Sequence, residues 1–455
     1  MFVCVAAFCL GTPSYSQVTQ EGAKGYNGPG NGIDIAFSLA VDSLGNVFVT
    51  GNSPGETSAN DITTIKYNSA GQRQWIQRYN GPGNGDDGTN GTNAIGVDNA
   101  GNVYVTGWSL GQENTDFVTI KYDTNGFQQW VRRYNGPGNG YDAPYGIAVD
   151  PAGMVYVAGG TEGAGSGSDY TIIKYDTAGQ RQWVKRHNGP GNGYDVAQSL
   201  TVDTAGNAYI TGYSTAINGL GDCVTIKYTA GGGQQWLRKY DGEASGTDYG
   251  TSIKADAAGN VYVTGGSAGS GTNQDYVTIK YSLAGQMRWA SRYSGAGANY
   301  DEGRSLGVDG SGNVYVTGVL AFSEGGATDD FGTIKYDSSG FQQWVQTYDG
   351  PAHIADEAFS IAIDADGNSY VVGYGHGLTS GSDLTTVKYN TAGVQQWVET
   401  YNSPANSTDT GFEIGLDAQA NIYVSGSRTG ADASLDYLLV KYSQLEPARK
   451  ISTNQ

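Results

Sequence analysis

Acidic residues recur along this chain at fixed offsets, and they are the side chains whose type and spacing could do chemistry. Eight residues before the Asp that ends one class of short apolar run, a second acidic position returns at Asp34, Asp142, Asp195, Asp248, Asp301, Asp356 and Asp409, with Asn90 standing in once. Like charges gathered around one axis raise one another's pKa or attract a cation, which would make these residues a ligand-binding ring with Ca2+ as a candidate ion. The competing role is local, each Asp accepting hydrogen bonds from the backbone of its own loop. Tyr141, Tyr194 and Tyr300 stand just before ring positions in loops rich in Asn and Gly, and Trp108 ends a strand near the same face. Aromatic faces beside amides and carboxylates suit a sugar ring, through stacking and hydrogen bonds, and packing between neighbouring sheets is the alternative use of the same rings. A further Asp lies five residues before every Lys-Tyr pair, at Asp61, Asp116, Asp169, Asp222, Asp275, Asp330, Asp383 and Asp436. Its uniformity points to a structural bond in a loop, not to one asymmetric active site.

No residue is assigned a catalytic role. Three Gly-x-Ser-x-Gly matches, at Gly51, Gly107 and Gly265, are followed by a Gly-rich loop and another strand, whereas a nucleophile elbow needs a helix. His187, His353 and His376 do not recur at metal-ligand spacing, and Asp364-Ala-Asp366-Gly-Asn368 lacks the distal Glu of a calcium loop.

The elements that carry these residues are visible in the stretch Asp248 to Tyr293, which the chain copies throughout. Turns divide it into four runs rich in Val, Ile, Thr and Tyr, each too short for a helix: strand A (TSIKAD), B (NVYVTG), C (DYVTIKY) and D (QMRWASRY). Strand B and the Lys-Tyr end of strand C each occur eight times, and the strand D Trp seven times, at Trp75, Trp130, Trp183, Trp236, Trp289, Trp344 and Trp397. The missing D strand has a degraded copy at the other end of the chain, residues 18–26, with Gly22 in the Trp position and Tyr26 in that of Tyr79. A ring of sheets explains this offset, because a β-propeller closes when one terminus completes the blade begun by the other. The fold expected is all-β, a single eight-bladed propeller of four-stranded antiparallel blades over residues 17–442. The blades fall at 33–79, 89–134, 142–187, 195–240, 248–293, 301–348, 356–401 and 409–442 plus 18–26, and a polar tail follows at 443–455.

Composition narrows the partners. A count of 72 Gly in 455 residues suits many turns, and a net charge of −19 makes nucleic acid a poor partner. The apolar start, which holds Cys4 and Cys9, reads as a secretory signal over residues 1–16, leaving Cys223 without an intrachain partner. No later apolar run is long enough to span a membrane.

The recurring pattern of a Val-Asp strand end followed by Gly-Asn-Val-Tyr-Val-Thr-Gly, as from Val308-Asp309 to Gly318 and in the variant from Val202-Asp203 to Gly212, resembles the β-propeller repeat family known by the acronym SBBP. The resemblance implies a secreted or cell-surface protein, often without an assigned activity; the family's name implies seven blades, while the count here is eight. The function expected is a monomeric, secreted or surface-borne binding or scaffold module. Its top face would hold a glycan, a cation or a protein around the channel mouth, with no cofactor required. The alternatives are a lyase or hydrolase using that mouth, which would need one blade carrying clustered acid, base and His groups, and a purely architectural surface protein. Only blade two, with Asp86, Asp87 and Asn90, departs noticeably from the pattern on this reading.

Overall fold

The computed structural model describes residues 18–444 except 92, 112, 245, 272, 296–299 and 322–328, so the expected signal segment and residues 445–455 of the expected tail lie outside the described residues. Eight antiparallel sheets follow one another, seven of them built A to D in chain order and the eighth taking its D strand from the N-terminal segment. Blade 4 is typical, with strands Asp195–Val202, Ala208–Thr215, Gly221–Tyr228 and Gln234–Tyr240. Strands B and C are buried almost throughout because a blade is covered on both faces by its neighbours, which is why they read as continuous apolar runs. The D strands, at the rim, are exposed at their starts.

Closure is as the offset repeat predicts. Val18–Tyr26 pairs antiparallel with Leu435–Gln444 and completes the blade of Thr410–Leu416 and Ile422–Thr429. Gly22 lies opposite Lys441 as Trp75 lies opposite Lys66, and Tyr26 opposite Tyr437 as Tyr79 opposite Ile62. The last C strand runs to Gln444, two residues past the expected end, because Val18 pairs with it there.

The core is not one mass but eight similar clusters, one at each junction between blades. Between blades 3 and 4, Tyr156, Ala158, Tyr170 and Ile172 pack on Leu200, Ile210, Val224 and Ile226. Between the last blade and the first, Tyr423, Tyr437 and Leu439 pack on Leu39, Val49 and Ile65. Polar ties reinforce these contacts. The Trp130 indole N–H donates to the Thr177 carbonyl of the next blade at 3.2 Å, and Lys121 Nζ donates to the same oxygen at 3.1 Å. Lys441 donates to the Ser69 carbonyl at 3.1 Å and so links the last blade to the first. The Gly that ends each B motif is required sterically: a Cβ on Gly212 would collide with the Val196 carbonyl of strand A.

Candidate functional site

The loop between strands D and A carries the first acidic set, and its geometry fixes where those carboxylates point. In the loop Asn188 to Asp195 the Gly189 N–H donates to Asp195 Oδ2 at 2.7 Å and the Thr215 N–H donates to Oδ1 at 2.7 Å. The same pair of bonds recurs at Asp142 from Gly136 and Glu162, and at Asp409 from Ser403 and Thr429. All of these carboxylates are at most 1% exposed. They therefore lie inside the loops instead of facing one another across the channel mouth. Burial raises their pKa, to about 6 for Asp142, against the lowering effect of the backbone donors.

Blade 2 needs a correction. Its loop carboxylate is Asp87, fully buried and accepting from the Gly81 N–H at 2.5 Å, and not Asn90. The Gly-to-Asp interval is held by that bond, so the extra residues of this blade fall after Asp87, where strand A breaks into Asp87–Gly88 and Ile95–Val97. Asn90 instead sits half-buried and donates to the Pro144 carbonyl at 3.4 Å.

Six of the eight members of the second acidic set make the structural bond expected of them. Asp61, Asp116, Asp169 and Asp275 accept from Arg78, Arg133, Arg186 and Arg292 of the same blade's D strand at 2.7 to 2.9 Å, and Asp222 pairs with Lys239 at 2.7 Å. In the last blade the D strand offers Gly25 at this position, and Arg428 from strand B reaches Asp436 at 3.5 Å through the space a side chain on Gly25 would occupy.

Among the open cavities of the described residues, one of about 440 Å³ lies on the loop face of blades 4 to 6 and is walled by Tyr194, Tyr213, Tyr249 and Tyr300. Gln198, Thr247, Gln274 and Glu302 supply its polar groups. The Tyr194 and Tyr213 rings lie 6.2 Å apart, and the Tyr249 and Tyr300 hydroxyls are 2.6 Å apart. Tyr194 is 52% exposed and Tyr300 44%. Tyr145 lies beside Tyr194 and Tyr141 beside Asn90, so the aromatic band continues onto blade 3, where Tyr141 is 57% exposed. Trp108 takes no part in this band; it pairs with Gly88 and covers the broken A strand of blade 2.

Sequence reasoning missed several side chains beside this cleft. Strand A carries a β-bulge in seven blades, and the residue left unpaired there is Phe in blades 1, 7 and 8 (Phe37, Phe359 and Phe412) but Tyr145, Gln198, Thr251 and Arg304 in blades 3 to 6. Arg304 donates to Glu302 at 3.2 Å and to Glu357 at 2.6 Å and lies 5.0 Å from the Phe359 ring centroid. Tyr374 lies beside Glu357, and its ring meets His376 edge-on at 5.6 Å. Blades 6 and 7, not only blade 2, thus break the pattern and gather acid, base and His groups. These groups satisfy one another: His376 Nδ1 faces the Ala355 carbonyl at 2.6 Å and Nε2 faces Ser382 Oγ at 3.2 Å. Deeper in the channel wall, Glu413 accepts from Ser38 Oγ and the Leu39 N–H, both at 2.7 Å, and attracts Lys254. The signal for all of these was positional: they occupy the few sites that vary when the repeats are aligned.

Eight closed blades with an aromatic cleft on one loop face define the class, a β-propeller with a candidate surface-binding site. The β-propeller repeat of the SBBP family matches at residues 21–56, 129–165, 182–220 and 289–319, so the chain carries SBBP-type β-propeller repeats. No curated protein matches the chain. Among solved structures it is similar in fold to the polysaccharide lyase Uly1, at 12% identity over 76% of this chain and 89% of that one with a TM-score of 0.46. A protein of unknown function from Dyadobacter fermentans matches at 10% identity over 94% and 99% of the two chains, also with a TM-score of 0.46. At these identities the similarity concerns the fold alone.

Proposed function

We propose that this chain is a secreted or cell-surface propeller that binds a neutral polysaccharide across the tyrosine band of blades 3 to 6. The observation that carries the reading is the open cleft walled by Tyr194, Tyr213, Tyr249 and Tyr300 with amide, hydroxyl and carboxylate groups between the rings. A sugar offers apolar C–H faces to aromatic rings and a rim of hydroxyls to hydrogen-bonding groups, and the open shape admits the middle of a chain as readily as its end. The net charge of −19 repels polyanionic glycans, so the class favoured is uncharged. The mutual bonding of Arg304 with Glu302 and Glu357, and of both His376 nitrogens, supports binding over catalysis at this face.

The test is a glycan array followed by affinity electrophoresis in neutral polysaccharides. Retardation of the wild-type chain is expected, with at least a tenfold loss of affinity in a Tyr194→Ala, Tyr300→Ala double variant that retains the wild-type Tm. Absence of binding to any glycan, or binding indifferent to both tyrosines, would overturn the assignment. New reducing ends or unsaturated termini in the incubated polysaccharide would replace it with an enzymatic one.

A further inference from the structure

A second site lies at the junction of blades 6 and 7, where the repeat lacks a part it supplies elsewhere. Asp330, Asp349 and Asp356 each offer a carboxylate oxygen there, and these oxygens all lie within 4.8 Å of one another. Asp330 is 5% exposed, with no hydrogen bond to Oδ1 and no pairing cation among the described residues. Asp356 is committed through one oxygen to the Gly350 N–H and through the other to the His376 N–H at 2.7 Å. Among the described residues Asp349 Oδ2 meets only His353 Nδ1, at 2.6 Å, and the His353 side chain is 76% exposed.

The same three positions carry aspartates once more in the chain, at the junction of blades 4 and 5: Asp222, Asp241 and Asp248. Lys239 sits among them there, 2.7 Å from Asp222 and 3.4 Å from Asp241. The residue in the place of Lys239 at the later junction is Thr347. The chain thus shows what the triad holds when complete, a positive charge in the pocket between the loops. Four other junctions fill the place with an Arg of strand D, and the last blade, with Gly25 there, brings in Arg428 from another strand. Blade 7 also lacks the cation, having Thr400, but its Asp383 accepts from Ser380 Oγ at 2.7 Å.

We infer that Asp330, Asp349 and Asp356 bind a hard divalent cation, of the Ca2+ or Mn2+ class, in the place that Lys239 fills two blades earlier. Three carboxylates with no nitrogen or sulfur donor select hard ions, and Ca2+ holds its oxygens at about 2.3–2.6 Å, so ligands up to about 5 Å apart can share one ion. The loop position of Asp356 is preorganised by its backbone bonds, and Asp349 is exposed, so water can complete the shell from its side. A buried, unpaired Asp330 costs stability that the ion would recover. This inference is independent of the polysaccharide reading.

Isothermal titration of the chelator-stripped full chain with CaCl2, repeated with MnCl2 and paired with thermal unfolding, tests it. One saturable site per chain and a rise in Tm at saturation are expected. Thr347→Lys, which rebuilds the arrangement of blades 4 and 5 at an exposed position, should reduce affinity at least tenfold while keeping or raising the metal-free Tm. Asp349→Asn, also at an exposed position, should weaken binding similarly. No saturable binding of either ion overturns the inference, since His353 alone then balances the triad. Binding undiminished in both variants overturns it as well, because the ion would then lie elsewhere.

Discussion

At the scale of single residues, the buried carboxylates make stability depend on pH in an unusual direction. Most paired carboxylates in proteins have lowered pKa values and stabilise above pH 4. Asp330 instead has its folded pKa raised from 3.8 to about 7, and Asp142 from 3.8 to about 6. The folded state holds these protons more tightly than the unfolded one, so it is favoured at low pH. Stability from these groups is lost as pH rises from about 4 through 6 and 7. In a chelating buffer, Tm should therefore fall over that window, and Asp330→Asn should raise Tm at pH 8 while changing it little at pH 4.5. A scan in which the two proteins stay parallel from pH 4.5 to 8 would refute this. The position of the first acidic set was legible because it stands eight residues before the Asp that follows strand A, and it was misplaced only where inserted residues in blade 2 hid it. The direction in which those side chains point was not legible. A carboxylate turned inward to a Gly N–H and one turned outward to a ligand have the same spacing, and burial alone separates them.

At the scale of elements, the copied strands show what each repeated residue does by what happens where it is missing. Trp75 packs over Gly126 of the next blade and donates to the Thr124 carbonyl at 3.2 Å. In the closing strand Gly22 takes the Trp position, and a cavity of about 100 Å³ remains, lined by Gly22, Gly71, Tyr67, Tyr423 and Lys441. A Cβ on Gly22 meets nothing within 4 Å. Gly22→Trp should fill the slot and stabilise the ring by about 1–2 kcal/mol, read as a higher denaturation midpoint at unchanged m. An unchanged or lower midpoint would mean that Glu21, which binds Lys441 at 2.5 Å, already claims that space. The opposite sign is expected at Gly212, where a methyl group meets the Val196 carbonyl: Gly212→Ala should cost about 1–3 kcal/mol in the same assay. Strand identity was legible from the alternation of turns and β-branched runs. The bulge in strand A was not, because one unpaired residue leaves the sequence spacing of the blade unaltered.

For the whole molecule, closure is the property on which every site depends, since the cleft spans blades 4 to 6 and the acidic triad spans blades 6 and 7. A ring with neighbours on both sides of every blade transmits a loss at one junction to all of them, whereas an open stack would lose only its end. The segment Val18–Tyr26 is short and mostly polar, yet it covers the edge of Leu435–Gln444, and its Val18 and Ala23 pack on the cluster between blades 7 and 8 while Tyr26 packs on that between blades 8 and 1. Removing residues 1–26 should therefore expose an unpaired apolar edge and weaken the two junctions that flank it. The expected result is a protein with a markedly lower Tm that self-associates on size-exclusion chromatography, and a synthetic peptide of residues 18–26 added during refolding should partly restore the monomer. The cost should exceed that of deleting nine residues from an exposed loop, because loop residues bear no ladder hydrogen bonds and cover no core. A truncated chain that stays monomeric with an unchanged Tm would show that the other seven blades hold the ring without this strand.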